Sequence, residues 1–277
     1  MSAILRFAPS PNGYLHLGHA FSALFTWHAA EKLGGTALLR IEDIDPARSK
    51  PQFDAAILDD LHWLGLDWPE PVMRQSRRMA EYRAAADRLG DFLYPCDCTR
   101  AEIVARSTGG TDPDGTPLYD GKCKRHGLAG GRPIQMRLDS ARAIAASGPL
   151  AIRVLSVQGF EIDFANTRER TANPARWGDA VIVRKDTPTS YHLSVVVDDA
   201  SQGITHVTRG QDLEAATDLH VLLQALLGLP SPAYAHHDLI RDTKRNKLSK
   251  SKGSQSLRDL RAAGWTARDV RAALSLV

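Results

Sequence analysis

The sequence predicts an α/β protein with a parallel sheet, on two observations. Strand, turn, helix and strand patterns follow one another within residues 4–41, and α/β patterning resumes after residue 171. Between them, residues 108–131 are rich in Gly, Asp, Thr and Lys with little periodicity, which indicates a long loop that something else must hold together. We therefore expect four segments: a first half of the core domain at 1–95, an insertion at 96–170, a second half at 171–235, and a short, basic, mostly helical segment at 236–277.

The first half begins with apolar residues that run from position 4 to position 8 and stop at a Pro- and Gly-containing breaker cluster, which predicts a strand followed by a turn. In chain order, the next patterns predict a helix at 17–33 closed by Gly34 and Gly35, a strand at 36–41, and helices at 51–65 and 77–89. Ligands of parallel α/β sheets bind beyond the carboxyl ends of the strands, so residues 9–19 form a candidate site.

The later elements are shorter. Strand-like runs occur at 134–138, 152–157, 161–164, 180–183 and 204–208, and an apolar run at 191–197 leads into Asp198-Asp199. Residues 212–227 predict an apolar-faced helix with Asp212 as its N-cap. From residue 235 onward the chain is expected to be loop-like, ending in two short helical patterns split by Gly264.

The composition places the 277-residue chain among ordinary globular proteins, because 43% of its residues are hydrophobic and 24% are charged. A net charge of +3 does not by itself indicate a polyanionic partner. The basic character is concentrated in residues 236–277, which carry ten Lys and Arg against four Asp. We find no secretory signal pattern and no apolar stretch of the roughly 18 residues that a membrane span requires. We therefore expect a cytoplasmic monomer with no membrane partner.

Two segments could bind phosphates. His16 and His19 lie three residues apart at the start of the first helix, where free backbone N–H groups and a partial positive charge favour anions, and Gly18 would let a base or phosphate approach closely. Lys247-Leu-Ser-Lys-Ser251 places cations on a loop that could close over a triphosphate. Taken separately, a His pair is more often structural and a basic loop is more often merely solvated.

Together, and in this order, the two segments resemble the HIGH and KMSKS motifs of class I aminoacyl-tRNA synthetases. Four more blocks resemble the glutamyl-tRNA synthetase branch: Arg6-Phe-Ala-Pro-Ser-Pro-Asn-Gly13, Leu39-Arg-Ile-Glu-Asp-Ile-Asp45, Val196-Val-Asp-Asp199 and Gly203-Ile-Thr-His-Val-Thr-Arg-Gly210. The resemblance implies a Rossmann-type catalytic domain that uses L-glutamate and ATP, with Mg²⁺ accompanying the nucleotide.

The segment that follows the Lys247–Ser251 motif is too short for a further domain, so we expect no anticodon-binding domain. The resemblance then implies the shortened branch of the family, which transfers activated glutamate to the queuosine base at the wobble position of tRNA(Asp). Three alternatives stay open: a shortened glutamyl-tRNA synthetase that charges the tRNA 3′ end, a catalytically inert tRNA-binding paralogue, and a nucleotidyltransferase that adenylylates another small molecule.

Carried over residue by residue, the resemblance implies a glutamate site at Arg6, Ala8, Ser10, Glu42, Tyr191 and Arg209. It implies an ATP site at Pro9, His16, Gly18, His19, Lys247, Ser249 and Lys250, with His16, His19 and Lys250 as catalytic residues. The glutamate set is chemically coherent, because Arg suits bidentate carboxylate binding and Glu42 suits an ammonium group. Two positions depart from the pattern. Leu248 replaces Met, which is a conservative apolar change, whereas Val195 stands where Asn is common, and we expect the loss of that polar contact to reduce glutamate affinity or selectivity.

Three cysteines, Cys96, Cys98 and Cys123, supply one thiolate too few for a closed tetrahedral zinc site. The residues themselves suggest His126 as the fourth ligand, whereas the resemblance implies Tyr119. We expect a structural zinc ion on Cys96, Cys98, Tyr119 and Cys123, with His126 as the alternative ligand and three free thiols as the alternative to a metal. The predicted architecture is thus a Rossmann-type parallel-sheet catalytic domain with a zinc-bearing insertion and a short C-terminal helical segment.

Overall fold

A computed structural model of the protein describes residues 2–240 and 255–276. In chain order, the strands of this part are β1 (Ile4–Phe7), β2 (Thr36–Ile41), β3 (Met73–Arg74), β4 (Leu93–Cys96), β5 (Gln135–Leu138), β6 (Ala151–Gln158), β7 (Glu161–Thr171), β8 (Val181–Val183), β9 (His206–Gly210) and β10 (Ala233–His237). The α-helices are α1 (Leu17–Lys32), α2 (Pro51–Trp63), α3 (Met79–Arg88), α4 (Arg100–Arg106), α5 (Lys122–His126), α6 (Ser140–Ser147), α7 (Tyr191–Ser201), α8 (Ala216–Leu226), α9 (Leu257–Ala262) and α10 (Ala267–Ala273).

The core consists of two groups of strands that adjoin at β1 and β9. Strands β1, β2 and β3 pair in parallel, and β10 pairs in parallel with both β9 and β6, while β7 is antiparallel to β6. The backbone N–H of Thr205, directly before β9, donates to the carbonyl of Ile4 in β1 at 2.9 Å. Across the molecule the strand order is therefore β3-β2-β1-β9-β10-β6-β7. The order in which successive strands are added to the sheet changes direction between β1 and β9. This confirms the predicted parallel α/β core and places a binding crevice at the carboxyl ends of these two strands.

The segment predicted as an insertion contributes to two different sheets. Strands β4, β5 and β8 form a small antiparallel sheet, although residues 180–183 were assigned by the sequence to the second half of the core. Strands β6 and β7, inside the predicted insertion, instead join the main sheet, where Val154 is opposite Tyr234. Hydrophobic periodicity identifies strands but does not specify their partners, which explains both differences.

Other sequence expectations need correction at element boundaries. Helix α8 begins at Ala216 after a 3-10 turn at Gln211–Leu213, so Asp212 is not its N-cap. Strand β10 continues to His237, where the sequence predicted a loop from residue 235. The short helices α4, α5 and α6 were not predicted, and α5 lies within residues 108–131, where the sequence predicted a loop. Thr99, the N-cap of α4, forms a reciprocal capping box with Glu102 that the sequence could have revealed.

The C-terminal segment packs against the first half of the core. Leu257, Leu260 and Val270 belong to the same apolar cluster as residues of α1, α2 and β2. Arg261 also pairs with Asp59 at 2.7 Å and with Asp60 at 3.1 Å on α2. Burial of these side chains fixes the segment beside the crevice. Within residues 2–240 and 255–276, none of the helices combines the length and the apolar content that crossing a membrane would take.

Candidate active site

A cleft of about 1140 Å³ opens at the carboxyl ends of β1 and β9. Ten of the residues predicted to bind glutamate or ATP line it: Arg6, Ala8, Pro9, Ser10, His16, Gly18, His19, Glu42, Tyr191 and Arg209. The remaining three, Lys247, Ser249 and Lys250, lie outside the described residues. Sequence positions more than 200 residues apart thus converge where the strand order reverses.

The two histidines at the start of α1 cap the helix. His16 has an extended backbone, and its Nδ1 accepts the N–H of Gly18 at 3.1 Å, while Nδ1 of His19 accepts the N–H of His16 at 3.2 Å. The N–H of His19 donates to the carbonyl of His16 at 2.8 Å. The N–H groups of Gly18 and His19 are therefore engaged within the protein, contrary to the expectation that the helix start leaves them free for phosphate.

Gly18 lies directly against the ring of the capping His16. A Cβ at this position would lie 3.0 Å from Cε1 of the His16 ring, so the glycine makes room for the capping imidazole. The His16 and His19 rings lie with their centroids 3.9 Å apart at the rim of the cleft. The cap thus fixes both imidazoles where a ligand in the cleft can reach them.

The described segments directly before and after residues 241–254 both lie at this rim. Ile240 lines the cleft, and Ser256 forms an antiparallel bridge with His16. The N–H of Leu257 donates to the carbonyl of Leu15 at 2.7 Å. The described residues that flank the predicted basic motif therefore lie at the predicted phosphate end of the cleft.

On one wall of the cleft, charges are paired. Arg6 Nε donates to Oδ1 of Asp199 at 2.9 Å, Arg40 Nη1 lies 2.8 Å from the same oxygen, and Arg40 Nη2 lies 3.4 Å from Oε1 of Glu42. Burial would raise the pKa of Asp199, but the guanidinium groups of Arg6 and Arg40 outweigh it and hold that pKa below its usual value. Burial raises the pKa of Glu42, and Arg40 and Arg6 oppose the rise. The positive charges of Arg6 and Arg40 thus face the carboxylates of Asp199 and Glu42 in this cluster. Of its members, the sequence analysis named only Arg6 and Glu42 as site residues.

Another arginine in the cleft, Arg209 of β9, is buried and held by neutral side chains among the residues that the structure describes. Arg209 donates from Nε to Nε2 of His236 at 3.3 Å, from Nη1 to Nδ1 of His220 at 3.3 Å, and from Nη2 to Oγ1 of Thr217 at 2.6 Å. Its guanidinium carbon lies 5.4 Å from the centre of the Tyr234 ring. Only 6% of Arg209 is exposed, and no carboxylate of residues 2–240 or 255–276 comes within ion-pair distance of it. An uncompensated buried charge is costly, so this site favours an anionic ligand.

The histidines around Arg209 are held neutral. Burial, and then the charge of Arg209, lower the pKa of His192 to about 4 and that of His236 to about 3, and they lower the pKa of His220 well below its usual value. His220 Nε2 lies 3.2 Å from Nδ1 of His192, which extends the set by one ring. Sequence reasoning missed all three histidines, because nothing in their spacing indicates that α7, α8 and β10 bring them together.

These depressed pKa values predict acid sensitivity. Between about pH 6.5 and pH 4 the unfolded chain binds protons at His192 and His236 that the native protein does not, so the free energy of unfolding should fall with falling pH by roughly 2 kcal/mol per pH unit for the pair. Urea unfolding at a series of pH values measures this slope. A variant carrying His192→Gln and His236→Gln should show a shallower slope, and an equal slope would contradict the assignment.

The three cysteine thiols form a compact buried group. Their sulfur atoms lie within 4.8 Å of one another, and Sγ of Cys98 is 3.5 Å from Sγ of Cys123. The Tyr119 hydroxyl lies 3.5 Å from Sγ of Cys98 and accepts the N–H of Cys123 at 2.7 Å. His126 is exposed and does not belong to the group. The cluster could hold a metal ion.

Cationic donors surround these sulfur atoms. Arg106 Nη2 lies 3.4 Å from Sγ of Cys98, and Arg137 Nε lies 3.4 Å from Sγ of Cys96. Burial would raise the pKa of Cys96, but hydrogen bonds from Tyr119 and Arg137 outweigh it and lower that pKa. The donors therefore favour the thiolate, the form that ligates a metal, at Cys96, whereas burial raises the pKa of the Cys123 thiol.

Val195, where the sequence departs from the family pattern, lies on the buried face of α7. It is 1% exposed and belongs to an apolar cluster with Leu193 and Leu219. It is not among the described residues that line the cleft. A polar contact to a ligand in the cleft is therefore absent at this position.

Comparisons with known proteins show which family this chain is similar to. The family model for the catalytic domain of class I tRNA synthetases (E and Q) matches residues 3–276. A protein of Rhodobacter capsulatus named glutamyl-Q tRNA(Asp) synthetase is 44% identical over 99% of this chain and 100% of its own length. A protein of the same name from Symbiobacterium thermophilum is 39% identical over 96% of this chain and 83% of its own.

Longer proteins are similar over part of their length. The glutamate–tRNA ligase of Oleidesulfovibrio alaskensis is 38% identical over 94% of this chain but only 54% of its own length. The solved glutamate-tRNA synthetase of Elizabethkingia anophelis superposes with a TM-score of 0.71 at 26% identity, over 96% of this chain and 54% of that one. This chain therefore spans about half the length of these two proteins.

Proposed function

This chain belongs to the class I tRNA synthetases of the glutamate and glutamine (E and Q) family, and from that premise we propose that it activates L-glutamate with ATP and transfers the glutamyl group to the queuosine base at the wobble position of tRNA(Asp). The family identifies an aminoacyl-adenylate-forming ligase, and class I synthetases use ATP with Mg²⁺.

The observation that carries glutamate is the buried cation of Arg209, which has no carboxylate partner within the part of the chain that the structure describes. A buried guanidinium with neutral neighbours can bind a carboxylate through two charge-assisted hydrogen bonds. Glu42 lines the same cleft and is suited to the ammonium group of an amino acid. Arg6, Ala8, Ser10 and Tyr191 complete the proposed glutamate site. Burial raises the pKa of Tyr191, which keeps its hydroxyl protonated as a donor.

Activation of glutamate would take place where the cleft meets the start of α1, with ATP bound at that end. An oxygen of the glutamate α-carboxylate attacks the α-phosphorus of ATP, the bond to the β-phosphate oxygen breaks, and pyrophosphate leaves. His16 and His19 at the rim, together with Pro9, Gly18, Lys247, Ser249 and Lys250, would bind the nucleotide. Lys250 would neutralise charge on the departing pyrophosphate, because stabilising developing charge is the main catalytic task in such a transfer.

Transfer then forms an ester. A hydroxyl of the queuosine cyclopentenediol attacks the carbonyl carbon of glutamyl adenylate, its proton is lost, and AMP leaves. This chain aligns with 100% and 83% of the length of two relatives named glutamyl-Q tRNA(Asp) synthetase. This similarity supports the queuosine base over the tRNA 3′ end as the acceptor.

We also propose that Cys96, Cys98, Cys123 and Tyr119 hold a structural Zn²⁺ ion. The buried sulfur atoms with nearby cationic donors fit the metal, and the exposed position of His126 favours Tyr119 as the fourth ligand. When bound, zinc would cross-link β4 to the following loop and to α5.

The acceptor is tested by transfer of labelled glutamate to tRNA(Asp) with and without queuosine, each stripped of its 3′ CCA. We expect label only on the queuosine-containing RNA. Intact tRNA(Glu) is the control for ordinary charging. Label on that RNA alone would identify a shortened glutamyl-tRNA synthetase, whereas no glutamate-dependent ATP–pyrophosphate exchange at all would indicate an inert paralogue. Exchange driven by a different small molecule would indicate another nucleotidyltransferase.

A further inference from the structure

The surroundings of Arg209 do more than hold it in place. We infer that Thr217, His220 and His236 are positioning residues that present the Arg209 guanidinium with no carboxylate partner among the residues that the structure describes, and that this cradle makes the site select a side-chain carboxylate over a side-chain amide. The inference rests on the proposed function, because it assigns Arg209 to the glutamate substrate, and it deepens that function by identifying what sets the selectivity.

The hydrogen-bond geometry of the cradle leaves a defined part of the guanidinium for a ligand. A guanidinium has five N–H donors, one on Nε and two on each Nη. Nε is used by His236, and one donor on each Nη is used by His220 and Thr217. One donor on each Nη remains, and a carboxylate can accept from two guanidinium donors at once. The three acceptors therefore orient the group and leave two of its donors available to a ligand.

The cradle also requires its histidines to be neutral. Because a guanidinium only donates, Nδ1 of His220 must accept, and the proton of that ring is then on Nε2 and points to Nδ1 of His192 at 3.2 Å. Nε2 of His236 likewise accepts from Arg209 and lies 3.3 Å from the Thr217 hydroxyl. Burial lowers the pKa of each ring, which agrees with this pattern. The neighbours supply hydrogen-bond acceptors and no negative charge.

Comparison of the two arginines in the cleft shows why this matters. Arg6 is held by a carboxylate, Asp199, at 2.9 Å, so its charge is balanced before any ligand arrives. Arg209 is held by neutral groups alone among the residues that the structure describes. A ligand carboxylate therefore gains the full charge interaction at Arg209, whereas the side-chain amide of glutamine offers one neutral acceptor there.

Matched substitutions at Thr217 test the cradle. Thr217→Val removes the hydroxyl and keeps the shape, so it should weaken L-glutamate binding about tenfold by calorimetry and lower the preference for glutamate over glutamine, while the KM for ATP stays within about twofold. Thr217→Ser restores the hydroxyl and should recover most of the affinity. Circular dichroism confirms that both variants are folded.

Two results would overturn the inference. One is a folded Thr217→Val protein that binds glutamate like the wild type, and the other is an equal loss of affinity for glutamate and ATP, which would indicate a general structural effect. His236→Gln, which can keep an acceptor near Nε2, compared with His236→Leu gives an independent test of the same pattern. Because these tests measure amino-acid binding, they distinguish a failed cradle from a wrong RNA acceptor: glutamate binding with no transfer to queuosine tRNA would contradict only the proposed acceptor.

Discussion

Replacing Arg209 with Gln should weaken L-glutamate binding by at least about 100-fold. The substitution removes the buried charge and the paired Nη donors, and a charge-assisted bidentate contact in a buried site is worth roughly 3 kcal/mol, which corresponds to a factor of about 100. Calorimetric titration of the variant with L-glutamate measures the loss directly. Glutamate-dependent ATP–pyrophosphate exchange should show the same effect as a raised KM for glutamate.

Two control variants make this prediction specific. Arg83→Gln removes the same charge from an exposed position on α3 and should bind glutamate like the wild type. Arg209→Lys keeps the charge but has no planar fork to reach His236, His220 and Thr217 together, so its affinity should lie between those of the wild type and Arg209→Gln. Wild-type affinity in a folded Arg209→Gln protein would remove Arg209 from the amino-acid site and with it the main support for glutamate.

The sequence predicted the individual residues of the cleft better than their environment. Arg6, Glu42, Tyr191 and Arg209 could be named because each lies in a block that resembles the family, and the structure brings them to one cleft. The difference between Arg6 and Arg209 could not be predicted. It depends on Asp199 from α7 facing one arginine and on histidines of α8 and β10 facing the other, and only the packing of these elements decides which cation is balanced.

The fold shows the same limit. Alternating strand and helix patterns predicted a parallel core, and the structure confirms it. Local patterns did not predict that β6, which the sequence analysis assigned to the same insertion as the cysteines, pairs with β10 in the main sheet. Strand pairing depends on burial of both faces of the sheet against helices that are distant in sequence. The contact between Gly18 and the His16 ring was not predicted either, since a glycine beside a histidine gives no indication in sequence that the imidazole folds back as a helix cap.

Substituting Cys123 with Ser should remove about one zinc ion per chain from the purified protein. The three sulfur atoms lie within 4.8 Å of one another in a region whose long loop, residues 108–131, has few buried apolar side chains, so a metal cross-link is the interaction best able to hold it. Atomic absorption measures the zinc content. The midpoint of thermal unfolding should fall as well, and it should fall to a similar value when a chelator strips the wild type.

The fourth ligand can be resolved by the same measurement. The Tyr119 hydroxyl lies 3.5 Å from Sγ of Cys98, whereas the His126 side chain is exposed and outside the cluster. Tyr119→Phe removes only the hydroxyl oxygen and should weaken zinc retention against a chelator, while His126→Asn should retain zinc like the wild type. The reverse order would assign the ligand to His126. Full zinc content in Cys123→Ser would contradict the site altogether, because losing one of three thiolates would leave too few ligands for a structural zinc ion.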